Sequence, residues 1–209
     1  MEALSSIMAI TAISLLAAIS PGPDFCVIVK NSLSHSRKAG LLTALGVSIA
    51  LIVHLTYTLF GIALVIAESP FLYSVTKYVG VVYLFYLGYS SIKASFKKGV
   101  SLDVSSANSK QSTSSLQAFM QGFLTNLLNP KAALFFVSLF SQFIDPTTPM
   151  FIRVEYAAIN WAVTLVWFLF LAYIISDKKF IGKINAFRHY IERIMGGALL
   201  ILGLKLLVA

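Results

Sequence analysis

Charge is what this chain has least of. Only 11% of its 209 residues are charged, 58% are apolar, and the mean hydropathy is +0.85. A soluble domain carries about 25% charged residues, so this chain cannot cover a globular surface with polar groups and must have lipid as its solvent. Histidine is also scarce: His35, His54 and His189 are scattered, with no His-Glu pair at helical spacing. That argues against a membrane-embedded enzyme, which needs a nucleophile with its base or a metal cluster at membrane depth. The single cysteine, Cys26, excludes an internal disulfide, a Cys-x-x-Cys redox pair and a cysteine metal cluster. It reads as a small apolar residue inside a membrane helix. Nothing in the sequence asks for a cofactor or a metal.

What is present is length in apolar runs. A hydrocarbon core about 30 Å thick needs roughly 20 apolar residues per helix. Six stretches qualify: 3–28, 41–67, 71–92, 116–143, 156–176 and 191–208. The expectation is an all-α polytopic membrane protein with six transmembrane helices. The N-terminal run has Glu2 and no early Lys or Arg, and is longer than a usual signal-peptide core, so it reads as a retained helix.

The net charge of +8 does not point to nucleic acid, because the basic residues fall between apolar spans. Twelve of the sixteen lie in loops one, three and five, taken as 30–39, 93–115 and 177–193. They are Lys30, Arg37, Lys38; Lys93, Lys97, Lys98, Lys110; and Lys178, Lys179, Lys183, Arg188, Arg193. The positive-inside rule places these loops in the cytoplasm and both termini outside, as in a bacterial inner-membrane protein. Attraction to anionic lipid accounts for the basic balance. The loops at 68–70 and 144–155 fall outside, with Glu68 and Glu155 solvated.

The polar loop 93–115 divides the chain into a three-helix repeat at 1–92 and another at 116–209. Its Ser-rich part, 101–115, is too poor in apolar residues to pack and is expected to stay mobile. An odd number of helices per half means that the second half is inserted upside down, the inverted repeat of many secondary transporters. The first helix of each half is broken by proline, at Ser20-Pro21-Gly22-Pro23-Asp24 and at Asn126-Leu127-Leu128-Asn129-Pro130-Lys131. A proline inside a helix costs about 3 kcal/mol or more. The backbone it frees cannot face lipid, so it must be buried in protein or line a wet cavity. Matching breaks in two inverted halves are the best sequence pointer to a transport site.

Polar residues stand at both breaks. A carboxylate at membrane depth costs a few kcal/mol, so Asp24 should pair or line a pathway. It suits either an ammonium ligand or a carrier of the coupling proton; it would also serve as a cap for the helix restarting at Pro23. Lys131 balances Asp24, attracts a substrate carboxylate or snorkels to the surface. Asn126 and Asn129 offer amide donors and acceptors suited to a zwitterion, and Ser20 adds a hydroxyl. Exposed helix ends at the breaks supply dipole ends of both signs. His54, beside Tyr57, is either a proton relay or a hydrogen bond between helices. Trp161 and Trp167 are not assigned to a site.

At these motifs the chain resembles the LysE/RhtB family of amino acid exporters. The resemblance spans nearly the whole chain and is carried by Ser20-Pro21-Gly22-Pro23-Asp24-Phe25, Ser36-Arg37-Lys38-Ala39-Gly40, Tyr83-Leu84-Phe85-Tyr86-Leu87-Gly88-Tyr89 and 122–132, with its Asn126, Asn129, Pro130 and Lys131. It implies efflux of amino acids by exchange with protons, through Pro21, Gly22, Pro23, Asp24, Asn126, Asn129, Pro130 and Lys131. The Pro-Gly-Pro-Asp form looks most like the threonine and homoserine exporter branch, which implies a neutral substrate. The two halves are then expected to rock around a site near the bilayer midplane. An exporter of another amino acid, or of an ion or metal, is the alternative on a related fold, and a passive channel would show no proton dependence. The sequence is compatible with a homo-oligomer and fixes no oligomeric state.

Overall fold

Prolines start three of the helices. Pro23, Pro70 and Pro130 each open a helix, where the missing N–H is no loss and the fixed φ suits the first turn. Side chains also cap helix starts: Ser36 accepts from Ala39 N–H, Ser69 from Leu72 N–H, and Ser114 forms a reciprocal capping box with Gln117. The computed structural model describes residues 2–96, 113–175 and 178–208. Among them the order is α1 (Glu2–Ile19), α2 (Pro23–Ser34), α3 (Arg37–Glu68), α4 (Pro70–Ser95), α5 (Ser115–Leu127), α6 (Pro130–Phe143), α7 (Met150–Ile175) and α8 (Lys178–Val208). The protein is an all-helical polytopic membrane protein.

The helix α1 meets α2 at 54°, and α5 meets α6 at the same angle, each across a short proline break. Counted as one broken span each, these pairs join α3, α4 and α7 as five segments long and apolar enough to cross a bilayer. The sixth expected crossing, 191–208, is not a separate helix but the latter part of the 31-residue α8. The fifth loop, expected at 177–193, is helical from Lys178 onward. Loop one shrinks from 30–39 to His35 and Ser36, and loop four loses 150–155 to α7. The reason is common to all three: Lys and Arg are good helix formers, so a basic run marks depth in the membrane without ending a helix. Glu68 and Glu155 are exposed, as expected. The segment 97–112, with most of the Ser-rich stretch expected to be mobile, lies outside the described residues.

Elements from before and after the central loop interleave. The broadest contacts are α3 with α5 and α4 with α8. Glycine permits both. A Cβ on Gly46 would overlap the Phe119 carbonyl oxygen, and one on Gly122 the Thr43 carbonyl. On the other pair, a Cβ on Gly88 would come within 2.9 Å of the Gly196 carbonyl oxygen. A polar knot ties the same region: Asn31 Nδ2 donates to Thr43 Oγ1 at 2.8 Å and Gln121 Oε1 at 2.7 Å, and the Thr43 hydroxyl reaches the Ala118 carbonyl at 3.0 Å.

The surface and interior are arranged for lipid. Phe60, Leu64, Val82, Val166, Phe170 and Ile201 are exposed, whereas Ser48, His54, Thr58, Asn126, Asn160 and Glu192 are buried. Apolar side chains face outward, as a lipid solvent requires, and polar ones turn inward.

Candidate functional site

The first break leaves backbone groups to be satisfied. Pro21 and Pro23 have no N–H, and α1 closes with Ser20 N–H donating to Leu16 O at 3.1 Å. The Ala18 carbonyl instead accepts the Trp167 indole N–H at 3.1 Å. Trp161 likewise donates to Ser48 O at 3.0 Å. These two tryptophans therefore hydrogen-bond internal backbone, and Trp167 does so at the break itself.

After the break, Gly22 is the N-cap of α2, in extended conformation, with no side-chain cap. Asp24 thus does not cap its own helix. Its carboxylate crosses to the other break, where Oδ2 accepts from Asn126 Nδ2 at 3.0 Å and Asn129 Nδ2 at 3.2 Å. Its Oδ1 is buried and has no hydrogen-bond partner in the protein.

The second break is built around Asn126 and Asn129, which are 3% and 6% exposed. Asn129 closes the turn through its N–H to Asn126 O at 2.9 Å and caps α6 by accepting Lys131 N–H at 3.0 Å. The Asn126 carbonyl also takes His54 Nε2 at 2.9 Å. A carbonyl only accepts, so Nε2 carries the proton; on the neutral ring Nδ1 then accepts from the Tyr57 hydroxyl at 2.5 Å. His54 therefore reaches the site through the backbone of Asn126. The Asn126 Oδ1 is buried with no partner in the protein.

Lys131 leans toward the first break, with Nζ 3.7 Å from where a Cβ on Gly22 would stand. It lies within electrostatic reach of both Asp24 and Glu192. Pro130 and Pro23 start the two short arms, and Pro21 and Ser20 line one cavity together with Lys131. The structure thus brings together every residue singled out at the two breaks, and His54 with them.

A cavity of about 70 Å³ opens at this junction. Asp24, Asn126, Asn129 and Lys131 line it on the side of the breaks, while Ser14, Asn160 and Thr164 line it from α1 and α7. Phe135, Phe136, Phe168 and Met195 supply apolar wall. A second cavity of about 400 Å³, between α4, α6 and α8, shares Ser20 and Lys131 with the first and contains Glu192. Glu192 is 3% exposed. It escapes notice in the sequence because it sits inside a basic run taken as a loop. Asn160 and Ser14 are also missed there, being single polar residues in apolar helices with no motif around them. Among the described residues no group of three His, Cys, Asp or Glu is placed to hold a metal ion.

This arrangement presents one carboxylate, three amides and one ammonium around a small buried space. It suits a molecule that carries both an ammonium and a carboxylate.

The family model described as LysE type translocator matches residues 15–209. An uncharacterized membrane protein of Bacillus subtilis (strain 168), YrhP, is 34% identical, with 97% of this chain and 98% of that protein covered. A threonine efflux protein of Escherichia coli (strain K12) is 28% identical, covering 97% of each. A leucine efflux protein of Salmonella choleraesuis (strain SC-B67) is 30% identical over 85% of this chain and 78% of that one. No solved structure matches significantly.

Proposed function

We propose that this chain, which belongs to the LysE type translocator family, exports small neutral amino acids resembling threonine or homoserine from the bacterial cytoplasm in exchange for protons. The observation that carries the reading is the Asp24 carboxylate held by Asn126 and Asn129 across two broken spans. The efflux names of the threonine and leucine relatives favour an amino acid as cargo.

In this mechanism Asp24 Oδ1 and Asn126 Oδ1, both without partners in the protein, receive the substrate ammonium. The substrate carboxylate faces Lys131 and the N-terminus of α2, which no side chain caps and which carries the positive end of its helix dipole. A proton entering from outside competes for Asp24 and displaces the ammonium, so that one cation leaves as the other arrives. Both termini lie on the outer side of the inner membrane, and the two halves of the chain are inverted repeats.

The interleaving of α3 with α5 and of α4 with α8 makes separation of the halves as rigid blocks costly. The short arms α2 and α6, hinged at the breaks, are better placed to open the cavity to each side in turn. A metal ion as cargo would need several carboxylate, thiolate or imidazole ligands. One carboxylate among amides fits a zwitterion better.

The test is accumulation in a deletion strain. Loss of the gene should raise intracellular threonine or homoserine, and its return should lower them. If no amino acid accumulates while sensitivity to a metal ion rises, the cargo is an ion and this reading is replaced.

A further inference from the structure

We infer that Asn160, positioned by Ser14, reads the substrate side chain and selects amino acids that carry a hydroxyl; this rests on the amino acid export reading above. Asn160 belongs to α7 and Ser14 to α1, so neither comes from a proline break. Asn160 is 0% exposed and Ser14 is 2% exposed, and both line the cavity that holds Asp24. Asn160 Nδ2 donates to Ser14 Oγ at 2.5 Å, while its Oδ1 has no partner in the protein. Turning the amide over would only exchange which of its atoms lacks a partner, because Ser14 engages one end of it. A buried amide normally has partners for its polar atoms, so a half-satisfied one in the wall of a cavity is set for a ligand group.

Depth along α1 gives the role. Ser14 precedes Ser20 by six positions, which is roughly 9 Å of helix. The Asn160–Ser14 pair therefore sits along α1 away from the first break, where the export reading puts the ammonium and carboxylate. The apolar wall of the same cavity includes Phe135, Phe168 and Met195. An amino acid held by its main-chain groups at the breaks would project its side chain into this region. A hydroxyl there meets Asn160 Oδ1 as donor, with the Thr164 hydroxyl also on the cavity wall. A methyl in the same place leaves the amide without a partner. A site that hydrogen-bonds a substrate hydroxyl can reject the analogue lacking it by about 10⁴-fold, whereas an apolar pocket tells two isosteres apart by about 10²-fold at most.

Threonine and valine are the probes, since they differ only by hydroxyl for methyl. Export of each is measured in proteoliposomes for the intact protein, Asn160→Leu and Ser14→Ala. The intact protein should favour threonine by at least about 100-fold. Asn160→Leu should bring the ratio close to one, through loss of threonine export. Ser14→Ala removes the hydroxyl that orients the amide and should lower the ratio about tenfold, the worth of one hydrogen bond. It decides the matter if Asn160→Leu does not fold. An intact protein that exports both alike, or a ratio unchanged in Ser14→Ala, overturns this inference and leaves the export reading standing. An intact protein that moves no amino acid overturns both.

Discussion

The Asn126 side-chain amide donates to the Asp24 carboxylate at 3.0 Å across 102 positions of chain. The contact joins the two breaks directly, so the two residues should fail together and be partly exchangeable. Removing one partner of a buried charged hydrogen bond costs about 3–5 kcal/mol, or roughly 100- to 4,000-fold. Asp24→Asn and Asn126→Asp should each depress export on that scale. The double variant, which returns one carboxylate and one amide to the same spot, should recover at least about tenfold over either single change, or 1.4 kcal/mol. Export rates in vesicles check this; a double variant no better than the worse single one argues against a shared site.

Close helix contact at Gly46 and Gly122 has a measurable consequence. An added methyl at either meets backbone, not a side chain that can move. Gly46→Ala and Gly122→Ala should each destabilise the protein by about 1–3 kcal/mol, the usual range for overpacking. Gly61 and Gly197 have nothing within 4 Å of where a methyl would stand, so alanine there should leave stability level or slightly raised. Thermal unfolding of the detergent-solubilised variants separates the two pairs.

His54 holds the second break through the Asn126 carbonyl at 2.9 Å. Glutamine keeps a donor, so His54→Gln should retain export within about fivefold, close to 1 kcal/mol for one hydrogen bond. It should also keep the pH dependence of the intact protein. A pH profile that flattens in His54→Gln would move the proton from Asp24 to His54. Leucine at this position leaves the carbonyl with one donor fewer and should cost more than glutamine.

Outside the membrane, the loop between α6 and α7 carries its own titration. The Thr147 hydroxyl donates to Asp145 Oδ1 at 2.6 Å and the Thr147 N–H to the same oxygen at 2.7 Å, and these bonds hold the Asp145 carboxyl below its usual range. A depressed folded-state pKa contributes stability above the unfolded value, which is lost as the pH falls through the folded one. Thr147→Val removes the hydroxyl donor and should raise the Asp145 pKa toward an ordinary aspartate. NMR titration of labelled aspartate reads it, and an unchanged pKa would give the effect to the Thr147 N–H and to Thr148 instead.

Much of this was legible in the residues because proline and charge are costly in a membrane helix. Pro21, Pro23 and Pro130 announce where the spans must break, and Asp24, Asn126 and Asn129 stand at those breaks because freed backbone and buried charge need partners. Helix ends are less legible. Lys30, Arg153 and Arg193 suggested loops, yet each lies within a helix, since basic side chains end no helix. Glu192 was hidden in such a run. Asn160, Ser14 and Trp167 were hidden differently: their meaning comes from a cavity and from an Ala18 carbonyl that only the packing of α1 against α7 brings near.

One carboxylate, Asp24, is assigned to both the amino acid and the proton, and everything else in the mechanism follows from that sharing. The direct measurement is proton movement driven by a threonine gradient in proteoliposomes, with the intact protein and with Asp24→Asn. Threonine leaving the vesicles should draw protons in for the intact protein, and Asp24→Asn should abolish this counterflow. Proton counterflow of equal size in Asp24→Asn would contradict the shared role.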